Sequence, residues 1–122
     1  MIAAEDLFEL TLNQSRVKTP IAIASMAGVV DAPYILERAG HIGAAFIGGY
    51  SIDPPTLEAS REMALSGRKE WIYDDPLEEI SRQLGMLNGS DPVIGINLRG
   101  STPDSYRTIA EGIGDRVIYE ID

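Results

Sequence analysis

The 122-residue chain has no cysteine and a single histidine. The first absence excludes disulfides, thiolate metal sites and a thiol nucleophile. With only His41 available, a zinc site would have to be built mostly from carboxylates. No apolar run approaches the roughly 20 residues that cross a bilayer. Met1 to Leu10 carries Glu5, Asp6 and Glu9, unlike the basic, then apolar, pattern of a secretory leader. A cytoplasmic location without membrane association is therefore expected. Positive charge is scarce too: 10 Lys and Arg stand against 19 Asp and Glu, for a net charge of −9. Such a chain repels a phosphate backbone. Arg68-Lys69 is the local concentration of bases. The Gly-x-Gly-x-x-Gly fingerprint, the Walker loop and the Gly-x-Ser-x-Gly elbow are all missing.

What is present reads as one α/β domain. Hydrophobic residues make up 44% and charged residues 24%, ordinary values for a globular core. Phe8 to Leu12 alternates apolar and polar residues, as a half-buried strand does, and Asn13-Gln14-Ser15 is turn-like. Residues 1–19 are expected to form a hairpin or cap. Ile21 to Ala24 suits a short strand buried on both faces. Ser25 to Asp31 is a small-residue turn, and Pro33 opens a helix to Ala39 that Gly40 stops. Asp31 caps that helix. His41 reads as a surface or capping residue.

Gly43 to Ile47 is a second apolar strand, ended by Gly48-Gly49-Tyr50-Ser51. The paired glycines suit either a plain turn or the floor of a ligand site. Asp53 with Pro54-Pro55 starts a helix that runs to about Ser66. Arg68 to Tyr73 is a connector anchored by Trp71 and Tyr73. Asp75-Pro76-Leu77-Glu78 starts another helix in a capping-box-like pattern, with Leu77, Ile80, Leu84 and Leu87 on its buried face. Its acidic cluster is explained by capping and by the helix dipole. Pro92 to Leu98 is a third strand, in which Asn97 is the strongly polar residue. Thr102-Pro103-Asp104 caps a helix bearing Tyr106, Ile109, Ala110 and Ile113, and Val117 to Ile121 is a fourth strand. Strands separated by helices predict a parallel sheet with right-handed crossovers. Ligands of such sheets lie at the carboxyl ends of the strands.

Ser25-Met26-Ala27-Gly28-Val29-Val30-Asp31-Ala32-Pro33-Tyr34 resembles the Pro-Met-Ala-Gly-Val-Thr-Asp-x-Pro-Phe signature of the tRNA-dihydrouridine synthases. Ser25 replaces the proline and Val30 the threonine. Ile96-Asn97-Leu98-Arg99-Gly100-Ser101-Thr102-Pro103 resembles the Val-Gln-Leu-x-Gly-x-x-Pro of their third strand, with Asn97 in the place of a flavin-contacting glutamine. The likeness spans Pro20 to Asp122 and is closest to archaeal barrel proteins related to these enzymes.

The resemblance implies an FMN-dependent oxidoreductase on a (β/α)8 TIM barrel, with residues 20–122 as its N-terminal half. A full barrel takes about 250 residues. It implies that Ser25, Met26, Ala27, Gly28 and Asn97 bind the flavin and that hydride transfer occurs at a pyrimidine-like ring. The family's catalytic cysteine lies beyond the matched strands, so no catalytic residue is assigned in this chain. tRNA would be bound through regions outside it. Asn97 also suits a bond to a neighbouring strand end, and Met26 suits packing. The open sheet edge is expected to be covered by a C-terminal half, or else by a second copy. Two other readings stand beside this one. One is a dihydroorotate-dehydrogenase-like flavoenzyme, suggested by Val17-Lys18-Thr19-Pro20, although the lysine those enzymes carry after strand two is missing. The other is a non-catalytic half-barrel that assembles with a partner chain.

Overall fold

A computed structural model describes residues 10–12 and 15–122. β1 (Leu10–Leu12) and β2 (Ser15–Val17) form an antiparallel hairpin, with Leu10 opposite Val17. Phe8 and Glu9, expected in the first strand, lie outside the described residues. Val17 packs on Ala44 and Val93, with Leu12 beside them. The hairpin thus closes the amino ends of the main sheet.

That sheet has four parallel strands in the order β3 (Ala22–Ile23), β4 (Ala44–Ser51), β5 (Val93–Arg99) and β6 (Ile118–Ile121). Between them run α1 (Ala32–Leu36), α2 (Pro54–Leu65), α3 (Pro76–Leu87) and α4 (Pro103–Ile113). The result is a mixed α/β fold in which each strand pairs with the next in the chain.

The period of two along a strand sorts its residues by face. Ala45 and Ile47 of β4 and Ile96 and Leu98 of β5 join Ile35, Ile80, Leu87 and Ile109 of the helices in one core. The opposite face of the sheet carries Phe46, Gly95, Asn97 and Arg99. The Phe46 ring occupies the space a side chain at Gly95 would need.

The helices begin where the capping residues place them. The side chains of Asp31, Asp53, Asp75 and Thr102 accept from the backbone N–H groups of Tyr34, Thr56, Glu78 and Ser105. Proline in the first turn of each fits its fixed φ and missing donor. At Asp53 the capping box is complete. At Asp75 only the aspartate's half of the expected box forms.

Three expectations need correction. Ile21 to Ala24 is not buried on both faces: the strand is two residues long and Ile21 is 56% exposed, because β3 is an edge of the described sheet. The helix after Asp31 ends at Leu36, and Ala39–His41 form a 3-10 turn that contains Gly40. β4 does not stop at Ile47 but passes through Gly48-Gly49 to Ser51, with an irregularity in register between Ile47 and Tyr50. The glycines are accommodated because β5 presses on them. A side-chain carbon at Gly48 would stand 2.5 Å from the Asn97 carbonyl oxygen, and one at Gly49 would strike Asn97 Oδ1.

Candidate functional site

The carboxyl ends of β3, β4 and β5 and the connector between α2 and α3 border an open cavity of about 380 Å³. Ser25, Met26 and Ala27 form one wall, Gly49, Asn97 and Arg99 the floor, and Arg68, Lys69 and Glu70 the opposite wall. Four of the five residues expected to bind a cofactor therefore come together.

Local structure explains how the first wall is held. The carbonyl of Met26 accepts from the N–H groups of Val29 (3.1 Å) and Val30 (3.0 Å), which closes the turn. The buried Gln83 of α3 then accepts from Ala32 N at 2.7 Å. Met26 points outward and is 59% exposed. Gly28 is the fifth expected residue and does not line the cavity. Its φ is +75°, and a side-chain carbon there would stand 2.5 Å from Lys69 Cβ. The close approach this glycine permits is that of the connector, not of the open cavity.

Asn97 is 3% exposed. Its Nδ2 donates to Glu120 Oε1 at 2.6 Å, and Ser25 Oγ donates to the same oxygen at 3.4 Å. Asn97 and Glu120 are cross-strand neighbours in the parallel register. The amide therefore turns its nitrogen to β6 and its oxygen to Gly49. Arg99, two residues on and so on the same face, donates from Nη2 to Glu70 Oε2 at 2.6 Å and to the Gly49 carbonyl at 3.1 Å. The Glu70 side chain is 2% exposed and that of Arg99 22%. Arg99 Nε is buried without a hydrogen-bond partner.

Asp53 ties the rim together. Besides capping α2, it accepts from Ser101 N (2.6 Å), Ser101 Oγ (2.8 Å) and Ser105 Oγ (2.7 Å). Burial acts to raise its pKa, but these bonds and those from Thr56 outweigh it and hold the carboxyl well below the usual range. Tyr106 Oη accepts from Gly100 N at 2.8 Å, and Asp122 O lies 2.8 Å from the same hydroxyl.

Glu70, Arg99 and Glu120 were not singled out as site residues in the sequence. Arg99 was discoverable from its place two residues after Asn97, and Glu70 from its adjacency to the Arg68-Lys69 pair. His41 is exposed, away from these groups, and bonds through its backbone: the N–H donates to the Arg38 carbonyl at 3.0 Å, and the carbonyl accepts from Thr19 Oγ1 at 3.5 Å. Among the described residues there is no cluster of His, Asp and Glu suited to a metal, and no helix long and apolar enough to cross a membrane.

The fold and site define an α/β protein with a four-stranded parallel sheet and a polar cavity at its strand ends. Over 83 residues the chain is 31% identical to an uncharacterized protein of Methanocaldococcus jannaschii, a match that takes in 65% of this chain and 31% of that protein. The chain thus matches under a third of the length of this curated relative. No family model and no solved structure matches it.

Proposed function

We propose that this chain is the first half of a flavin-binding (β/α)8 barrel resembling the dihydrouridine synthases, and that the strand-end cavity holds part of an FMN ring. The observation that carries the reading is the convergence of the motif residues Ser25, Met26 and Ala27 with Asn97 on one cavity at the carboxyl ends of parallel strands. Its size, about 380 Å³, falls in the range of small-molecule sites, about 300–1,000 Å³.

The donor set fits a flat ring rich in nitrogen and carbonyl oxygen. The bare Gly49 backbone lets the Asn97 amide lie against it, and the buried Arg99 Nε beside them has no hydrogen-bond partner. In this reading the 25–27 backbone meets the ring edge. Asn97 is oriented for it by Glu120, and Gly28 acts indirectly by seating Lys69. Flavin, when bound, supplies two-electron hydride exchange with a carbon–carbon double bond in a pyrimidine-like ring. The residues described here bind and orient. The proton donor, and any surface for tRNA, belong to regions outside this chain.

The test is a visible absorption spectrum after mixing with FMN and desalting. A retained flavin band is expected, reduced about ten-fold or more in Asn97→Ala, the loss appropriate to a buried hydrogen bond. Absence of the band from the unaltered chain overturns the reading for this chain.

A further inference from the structure

Basic residues are few in this acidic chain, yet three of the 10 line the one cavity just described: Arg68, Lys69 and Arg99. Their carboxylate neighbours there are Glu70 and Asp122, with Glu120 alongside. Glu70 is ion-paired with Arg99 Nη2. Glu120 accepts from the neutral Asn97 and Ser25 and keeps its charge, on the β6 side of the cavity with Asp122, across from Arg68 and Lys69. Arg68 has a single side-chain bond among the described residues, from Nη1 to Met63 Sδ at 3.6 Å, and both Arg68 and Lys69 are exposed. Lys69 is brought down onto the 25–28 turn because Gly28 has no side chain to obstruct it.

We propose that Arg68 and Lys69, with Arg99 behind them, recognise an anionic group, phosphate or carboxylate, on a small substrate held in this cavity. The inference rests on the flavin-barrel reading for the ring that carries the group and for assigning the group to the substrate rather than to the cofactor. A barrel's own cofactor phosphate is commonly held by the loops after its seventh and eighth strands. In the flavin-barrel reading this four-stranded parallel sheet is the first half, so the exposed Arg68 and Lys69 face the other occupant of the mouth. A polyanion is a poorer match. Phosphate-backbone binding needs many neutralising contacts spread along a surface, whereas these cations converge on a pocket in a chain of net charge −9. The pair is also charge-complementary to a single oxyanion, and charge-assisted bonds to phosphate or carboxylate are the strong ones.

The experiment is an NMR titration of the backbone amides, without flavin, using matched probes: uridine 5′-monophosphate against uridine, and orotate against uracil. The anionic member of at least one pair should bind about ten-fold or more tighter than its neutral match and shift the amides of residues 68–70 and 99. Which pair responds separates phosphate from carboxylate. In the double variant Arg68→Gln, Lys69→Gln, which alters exposed positions and keeps the Lys69 Cβ, the preference should disappear. Equal binding of neutral and anionic probes, no binding of either, or a preference that survives the double substitution overturns the proposal. So does a response at these amides to a uridine-containing RNA oligonucleotide but not to the small anions. Because flavin is absent, none of these outcomes bears on flavin retention, which is read separately in the visible spectrum.

Discussion

Asp53 does two jobs with one carboxylate. It caps α2, and it reaches 48 residues along the chain to take the N–H and hydroxyl of Ser101. Asp53→Asn keeps the size but replaces one accepting oxygen with a donor that faces other donors. Unfolding in urea at neutral pH should show a loss of about 2–3 kcal/mol. The pH dependence has a definite sign. The folded-state pKa lies below the ordinary aspartate value, so the stabilisation is complete above about pH 4–5 and is lost as pH falls from there towards the folded value. The Asn variant should therefore lose less stability than the parent on acidification through that window. The cap was legible from Asp53-Pro54-Pro55. The second role was not, because nothing local to Asp53 announces Ser101. Gly49 makes a parallel case. Gly49→Ala places a carbon against Asn97 Oδ1 and should cost about 1–3 kcal/mol by overpacking. Combining it with Asn97→Ala should recover part of that cost in a double-mutant cycle.

Among elements, the connector from Arg68 to Tyr73 governs the cavity more than either helix it joins. Trp71 bridges to Tyr50, and Trp71 and Tyr73 stack with ring centroids 6.4 Å apart. Lys69 lies on the 25–28 turn. Gly28→Val forces a branched side chain into a residue at φ +75° that already touches Lys69. The expected result is displacement of the connector: emission from Trp71, the sole tryptophan, should shift to the red, and stability should fall by about 1–3 kcal/mol. Unchanged emission would show that the connector tolerates the side chain.

At this scale the sequence was informative wherever the signal is local. The Asp-Pro and Thr-Pro starts place α2, α3 and α4 within a residue or so, and the spacing of Leu77, Ile80, Leu84 and Leu87 marks the buried face of α3. It misled wherever a neighbour decides. Gly48-Gly49 reads as a strand end, yet stays in β4 because β5 needs the room. Ile21 to Ala24 reads as buried, yet is an edge.

For the whole molecule, the strand order β3-β4-β5-β6 leaves two unpaired edges within the described sheet. Ile21, Met26 and Ile121 are exposed at or near them, at 56, 59 and 60%. Unprotected edges flanked by apolar side chains pair with other chains. Sedimentation of the isolated chain should reveal association that grows with concentration, and Ile121→Lys should shift it towards monomer. An unaltered chain that stays monomeric throughout would show that these edges are not adhesive. The parallel order was readable from the alternation of strands and helices. That polar residues from several strands meet at the carboxyl ends of the sheet agrees with the general rule for such sheets. The Arg99–Glu70 pair was hidden, since it joins a strand to a connector 29 residues earlier.

That separation also sets an order of assembly. During synthesis the chain emerges from its amino end, and each strand of this sheet finds its neighbour already made. The cavity is different. Glu70 leaves the ribosome well before Arg99, and until the arginine arrives its carboxylate has no counter-ion and no reason to leave water. The Arg99–Glu70 pair can therefore form only after β5 has been made. The cavity's lining is completed late in the same way, because Asn97, Arg99 and Asp122 all follow β4 in the chain, and a nascent chain halted before Arg99 would lack much of the floor.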